Sequence, residues 1–268
     1  MPGCPILTYH SQLLFGNDYA DNSHVALAAD LEVIAASGRQ IIGLRALLAA
    51  LHGPRDLPLE RLVCLTFDDG PDFDWLDLEH PEHGPQPSFA TLLRRHAAAH
   101  PGPRPVSATS FVLADPAARS RISRATMGGD WMHDHWWREA ALSGVLEIDS
   151  HGLDHRHPCL CPGDPDWGHF HAVDDDPSCR QQVDAAIALI TSLSGQRPRV
   201  FAYPYGQASD YLRREYLPRH GPRLGLLGAV SIEPDPFHWD CDPWFVPRYV
   251  SQAHWRCPEE LARLLREA

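Results

Sequence analysis

The segment Leu65-Thr66-Phe67-Asp68-Asp69-Gly70-Pro71-Asp72 ends an apolar run in two adjacent carboxylates, followed at once by a Gly-Pro turn. The C-terminal end of a barrel strand is where such folds keep their chemistry. Asp68 and Asp69 cannot both enter a core uncompensated, because like charges this close push one carboxyl pKa up unless a cation is present. A metal ion would remove the conflict. The competing reading is an N-cap or Asx turn that happens to precede Gly-Pro.

A second run, Val145-Leu146-Glu147-Ile148-Asp149-Ser150, leads into His151-Gly152-Leu153-Asp154-His155. Two imidazoles four positions apart share a face if the chain turns helically after the strand. One carboxylate plus two neutral imidazoles leaves coordination positions for water and substrate, which is the arrangement of a catalytic rather than a structural metal site. With 17 His in the chain, some pairs at this spacing arise by chance, so the position just after a strand carries the argument.

Together these residues resemble the NodB-homology domain of polysaccharide deacetylases, carbohydrate esterase family four. Thr66-Phe67-Asp68-Asp69-Gly70 is similar to the family's first motif and Ser150-His151 through His155 to its second. Arg199-Val200-Phe201-Ala202-Tyr203-Pro204-Tyr205-Gly206 resembles the third, in the form found in the poly-N-acetylglucosamine deacetylase-like branch. Ile6-Leu7-Thr8-Tyr9-His10-Ser11 and Phe245-Val246-Pro247-Arg248-Tyr249 are similar to segments of that branch. The matches occur in family order, and their joint occurrence is more specific than any one of them.

The resemblance implies a metal-dependent deacetylase that hydrolyses the N-acetyl group of an amino sugar or glycan. Asp69, His151 and His155 would hold a divalent metal, zinc first, with cobalt and nickel equally acceptable to such a donor set. Asp68 would be the general base, and Tyr205, with Tyr203, would serve substrate and oxyanion, one of the two packing while the other faces substrate. Two departures from the family pattern stand out. The late Leu-x-His that supplies a proton donor is missing, so His10 is the replacement chosen, with His238 and His254 behind it; the alternative for His10 is a buried, hydrogen-bonded histidine. Ala202 stands where many members carry an arginine, and Arg248 is expected to take its place from another strand unless it forms only a surface salt bridge.

Two rivals remain. One keeps the site but acts on a small amide or cyclic imide, and an enclosed pocket would favour it over an open, aromatic-lined groove. The other is a degenerate carbohydrate-binding protein, which would have no need of the Asp68 carboxylate.

At 268 residues and 44% hydrophobic, the chain is long enough for one large core, and a single domain over 1–268 is expected. A net charge of -12 argues against nucleic acid and disfavours strongly anionic glycans. No apolar run approaches the ~20 residues needed to span a bilayer. The N-terminus lacks a secretion signal, so a complete chain would be cytoplasmic, and one trimmed of a leader periplasmic or secreted. Seven scattered Cys suit reduced thiols.

Apolar runs alternate with helical patterns as βα units do, implying an α/β fold, a distorted (β/α)7-8 barrel with about seven parallel strands. Strands are expected at 5–9, 40–44, 61–67, 106–113, 145–149, 199–203, 224–231 and 245–250. Helices are expected at 23–37, 45–51, 89–100, 131–142, 178–193 and 209–220, and from Pro258. Trp131, Trp136 and Trp137 are expected to pack inward.

The stretch 157–176 has no period and reads as an inserted loop beside the metal, with Trp167 or His169 as a sugar contact, or else as a surface loop of no consequence. Within it, Cys159-Leu160-Cys161 reads as two free thiols or, with His157, as a second, soft metal site. Asp72 to Pro87, with Trp75, is expected to border the cleft.

Overall fold

The computed structural model describes residues 3–268. Strands buried on both faces read as continuous apolar runs, and that is how a parallel sheet covered by helices is written. Every residue of β1 (Ile6–Tyr9) and β3 (Leu62–Phe67) is buried. The others are β2 (Gln40–Ile42), β6 (Ala108–Val112), β7 (Leu146–Ser150), β8 (Val200–Ala202), β9 (Gly228–Val230) and β10 (Tyr249–Val250), with β4 (Leu78–His80) and β5 (Gly84–Gln86) forming a separate antiparallel hairpin.

The eight parallel strands run in the order β10-β1-β3-β6-β7-β8-β9, with β2 paired to the first half of β3. A parallel bridge from Val230 to Val246 ties β9 to the segment that continues into β10, and β10 pairs with β1 through Leu7 and Thr8. The sheet therefore curls back on itself as a distorted (β/α) barrel.

Helices α1 (Ser23–Ser37), α2 (Leu44–Leu51), α3 (Phe89–Ala99), α4 (Pro116–Met127), α5 (Trp137–Ser143), α6 (Asp176–Cys179), α7 (Ala186–Ser194), α8 (Leu217–Leu224) and α9 (Pro258–Glu267) cover its outside. Their ends follow local chemistry. Asn22 accepts the backbone N–H groups of His24 and Val25 to start α1, and Gly38, left-handed at φ 75°, stops it. None of these helices is long and apolar enough to cross a membrane among the described residues.

Several expected elements are corrected. The helix expected from Trp131 starts at Trp137, because residues 131–133 are bound to Asp72 instead of to each other. Asp72 N–H donates to the Trp131 carbonyl at 2.7 Å, and the Asp72 carboxylate accepts the His133 N–H at 2.9 Å. Trp136 and Trp137 are buried as expected, whereas Trp131 lines a surface cavity. The last expected strands are shorter than read, and the helix expected to stop at His220 runs to Leu224, where Gly225 supplies the left-handed stop. Helix α4 was not foreseen, although Asp115 before Pro116 and Gly128 after Met127 are ordinary start and stop signals.

Asp30 of α1 fastens that helix to the barrel and to the C-terminal region. Its buried carboxylate accepts from the hydroxyls of Tyr9 and Tyr19 at 2.9 and 2.8 Å, and from the Trp255 indole at 2.9 Å. Removing the acceptor leaves three donors facing one another, each costing about 1–3 kcal/mol where it stays buried. Asp30→Ala is therefore expected to lower the unfolding free energy by about 3 kcal/mol or more, read from urea denaturation.

Candidate metal centre and active site

The strand ends deliver the chemistry. His10 follows β1, Asp68 and Asp69 follow β3, His151 follows β7 and Tyr205 lies beyond β8, all at C-terminal ends. Asp69 Oδ1 stands 3.7 Å from His151 Nε2 and 3.6 Å from His155 Nε2, and one ligand atom from each of the three residues lies within 4.8 Å of the others. A tetrahedral site with bonds of about 2.1 Å has ligand separations of about 3.4 Å, so the donor set has the dimensions of a zinc-like centre.

The tautomer agrees. His151 Nδ1 sits 2.9 Å from the Ala202 carbonyl and donates to it, leaving the Nε2 lone pair facing Asp69. Burial holds the His155 imidazolium down to a pKa of about 3, so this ring is neutral and able to ligate. These residues fit a divalent metal.

The condition of a helical turn after the strand is not met, so the two imidazoles do not share a helix face. Gly152 (φ 83°), His155 (φ 60°) and Arg156 (φ 45°) are left-handed, so the chain makes an irregular turn. Gln182 braces it, accepting the Leu153 N–H at 3.1 Å and donating to Asp154 at 2.9 Å. The ring centroids still come within 4.9 Å.

Asp68 is turned away from this group and onto Arg248. The guanidinium, wholly buried, donates to both carboxylate oxygens at 2.8 and 2.9 Å, to Thr66 Oγ1 at 3.1 Å and to the Ser231 carbonyl at 2.9 Å. Arg248 is thus a buried bidentate partner rather than a surface ion. Burial alone would raise the Asp68 carboxyl, but Arg248, His151 and His10 outweigh it and hold the group far below the usual carboxylate range. Asp69 is lowered too, where His155, His151 and His10 outweigh burial. His10 follows Tyr9, which pairs with Phe67 and accepts the Asp68 N–H at 3.1 Å, so the β1–β3 ladder sets His10 beside Asp68.

Tyr203 is a correction. It is fully buried, and its hydroxyl donates to the Trp244 carbonyl at 2.6 Å, so its side chain belongs to the core and not to substrate. Tyr205 is the member of the pair that faces the site, with its ring 4.2 Å from that of His155 and φ of 58°. His238 lies against Gly3, just before β1 and at the opposite end of the barrel from His10. His254 uses Nδ1 to accept the Val250 N–H at 2.8 Å. Neither is brought to the carboxylates.

Two groups escaped the sequence reading. Gln12 Nε2 donates to Asp69 Oδ2, orienting the oxygen that the imidazoles do not face. Asp74, fully buried, accepts from Ser11 and Ser110 hydroxyls. No spacing signal marks either, since each depends on non-local neighbours.

A cavity of about 280 Å³ opens over Asp69, His155, His157 and Tyr205, and a second of about 370 Å³ lies over Phe73, Trp131 and the β4–β5 hairpin. Gln12, Phe15, Thr126 and Met127 line both, so the two cavities adjoin. The stretch after Pro71 borders them as expected, but Trp75 does not, being packed in the core under Arg94. Of the 157–176 loop only His157 lines the cavity over Asp69. Trp167 sits beneath Arg156, and the loop contains short turns at Pro158–Leu160 and Phe170–Ala172.

His157 Nδ1 accepts the Cys159 N–H, and His157, Cys159 and Cys161 do not form a three-ligand group among the described residues. A different trio, Asp72, His133 and His135, does come together, but both Asp72 oxygens are already engaged, by the His133 backbone, the His133 ring and the Trp136 indole.

Burial raises the Asp74 carboxyl to about 7, against the pull of its Ser11 and Ser110 hydrogen bonds and with a further push from Asp69 and Asp68. The folded chain thus keeps a proton that an unfolded aspartate gives up near pH 3.9. Stability from this group is complete below about pH 4 and is lost as pH rises through about 7. Asp74→Asn cannot ionise, so its stability relative to the native chain is expected to rise between pH 4 and pH 8, by at most about 4 kcal/mol. Urea denaturation at several pH values reads this difference.

The family model described as polysaccharide deacetylase matches residues 57–221, more than half of the 268-residue chain. Among curated proteins none matches. Among solved structures, IcaB from Ammonifex degensii is similar with a TM-score of 0.68 and 19% identity, over 99% of this chain and 98% of that one. The Streptococcus pyogenes deacetylase PplD in complex with acetate gives 0.65 and 16%, over 98% of each. BC0361, a polysaccharide deacetylase from Bacillus cereus, gives 0.66 and 14%, over 98% of this chain and 69% of that one. At these identities the likeness is one of fold, and it is the distorted barrel described above. The family match rests on the chain itself: it runs without a break from before Asp68 and Asp69, through His151 and His155, to beyond Tyr205, and by it the chain belongs to the polysaccharide deacetylase family.

Proposed function

We propose that this chain is a divalent-metal-dependent deacetylase that removes the acetyl group from an N-acetylated amino sugar within a glycan. The observation that carries the reading is the pairing of an Asp69–His151–His155 ligand set with a neighbouring carboxylate, Asp68, that is held off that set by buried Arg248. Asp69, His151 and His155 would hold the metal, zinc or, with the same donors, cobalt or nickel. A cation bound there polarises the acetyl carbonyl and lowers the pKa of the attacking water.

The chain's own residues do the rest. Asp68, ionised and fixed in orientation by the two Arg248 hydrogen bonds, takes a proton from the attacking water. Attack on the carbonyl carbon gives a tetrahedral oxyanion, to which we assign the backbone N–H of Tyr205 as donor. The left-handed turn at Tyr205 is a backbone conformation a tyrosine rarely adopts, and such strain concentrates at functional sites. His10 gives a proton to the departing nitrogen as the C–N bond breaks, so acetate and a free amine result.

The two cavities support a glycan over a small amide or imide. The cavity over Asp69 takes only His157 from the 157–176 loop and adjoins, at Phe15, a second cavity lined by Phe73 and Trp131, and aromatic faces are suited to the apolar faces of sugar rings. The acidic net charge of -12 suits a neutral or cationic glycan better than an anionic one.

Metal analysis of the purified protein, paired with acetate release from N-acetylglucosamine oligomers before and after chelation, tests the proposal. About one metal per chain and chelator-sensitive release are expected. Asp68→Asn is expected to keep its metal and lose about 10²–10⁴-fold in kcat. A metal-free protein after reconstitution, or an Asp68→Asn variant as fast as the native chain, would overturn it.

A further inference from the structure

Asp74 lies in the short turn Asp72–Asp74, with none of its surface exposed. Its two oxygens accept one hydrogen bond each, from Ser11 Oγ at 2.6 Å and from Ser110 Oγ at 2.6 Å. No arginine, lysine or histidine pairs with it among the described residues, and the nearby charges of Asp68 and Asp69 are of its own sign. A buried acid without a cation is costly, and an apolar side chain would fill the same space at less expense.

What the carboxyl holds identifies its use. Ser11 directly follows His10, and Ser110 belongs to β6, which pairs with β3 at Phe67, the residue before Asp68. Asp74 therefore straps the end of β1 to β6 across the strand that delivers the two catalytic-site carboxylates. The same two residues of β1's exit are gripped from other sides. The Ser11 carbonyl faces His24 Nε2 at 3.0 Å, the other nitrogen of that buried ring faces the Pro87 carbonyl at 2.8 Å, and the His10 carbonyl accepts the Leu13 N–H at 3.0 Å. The His10 ring has no hydrogen-bond partner among the described residues, and the pairing of Tyr9 with Phe67, with the Asp68 N–H on the Tyr9 carbonyl, sets His10 beside Asp68 at the strand ends.

We propose that Asp74 is a positioning residue that acts through the Ser11 hydroxyl to fix the His10 imidazole against Asp68 and Asp69. The inference rests on the reading of His10 as the proton donor. An amide can replace the carboxyl in this role, because its oxygen accepts from one serine hydroxyl while its nitrogen donates to the other; a methyl group cannot.

The test is a double-mutant cycle on the metal-loaded enzyme, read as kcat and KM for acetate release, with metal content measured for every variant. Asp74→Ala is expected to lose about 10–100-fold in kcat, the scale of a catalytic group displaced by about 1 Å, with KM and metal content unchanged. Asp74→Asn is expected to stay within about threefold of the native kcat, since it keeps both hydrogen bonds. In a His10→Asn background, Asp74→Ala is expected to cost nothing more, because the group it positions is already gone.

Native kcat in Asp74→Ala overturns the proposal, and so does a loss that persists in full without His10. If Asp74→Ala does not fold, Ser11→Ala carries the same cycle with a smaller lesion, and the same two outcomes decide. Native kcat in His10→Asn alone would instead remove His10 as proton donor, which is a distinguishable failure of the underlying reading.

Discussion

The ion pair between Arg248 and Asp68 is the constraint on which the site depends. Both groups are buried, so neither can be satisfied by water, and two charges taken from water are recovered only by close, multiply hydrogen-bonded contact. The bidentate geometry supplies that contact, and two further guanidinium N–H groups go to Thr66 and the Ser231 carbonyl. Arg248 also sits in the segment that closes the sheet, between the Val246 bridge to β9 and the β10 ladder to β1. Closing the barrel and orienting Asp68 are therefore one event. Removing either partner would leave the other charged and buried, a loss of about 3–5 kcal/mol in such cases, so the pair is held by the fold as firmly as it holds the site.

Backbone strain is distributed in the same place. Of the five non-glycine residues at positive φ among the described residues, three are Asp69, His155 and Tyr205, and a fourth is Arg156 beside His155. Each sits in a loop that leaves a strand and must turn sharply for its side chain or amide to stay over the barrel mouth. The turns are packed from behind. A Cβ on Gly70 would meet Val112 at 2.5 Å, and one on Gly206 would meet Ile232 at 2.1 Å. The glycine after Asp69 and the glycine after Tyr205 thus let the chain press against its neighbours, and that pressing maintains conformations costing about 1–3 kcal/mol each.

What was legible in the sequence is what local pattern encodes. Strand cores are apolar runs, and Asp68-Asp69-Gly70 and His151 stand at their ends, so the fold and the clustering of Asp69, His151 and His155 could be read together. The turn between His151 and His155 is not helical because Gly152 and Gln182 shape that loop, and Gln182 is 31 positions beyond His151 with nothing local to announce it. Tyr203 and Tyr205 could not be told apart by type; what separates them is that the alternation of a strand turns Tyr203 toward Trp244 while the left-handed turn swings Tyr205 out. The helix expected at Trp131 failed for a similar reason, since Asp72 competes for its first backbone groups. Helix α4 is a different case: its Asp-Pro start and glycine stop were legible, and its weakly apolar sequence hid it.

Three carboxyls of this stretch, buried Asp68 and Asp74 and part-buried Asp69, meet three different kinds of compensation. Asp68 has a guanidinium, Asp69 has two imidazoles and the amide of Gln12, and Asp74 has only two hydroxyls. Their protonation follows in that order. Asp68 is driven far down, Asp69 is lowered, and Asp74 is raised to about 7. An acid held so low is a weak base, so what Arg248 gives Asp68 is constant ionisation and a fixed direction, and the strength of the base is what is given up. The same loop therefore holds one carboxylate on a guanidinium, another beside two imidazoles, and a third, about half protonated near pH 7, on the serine that follows His10. Neighbouring identical side chains take on separate work because the groups brought to them across the barrel differ.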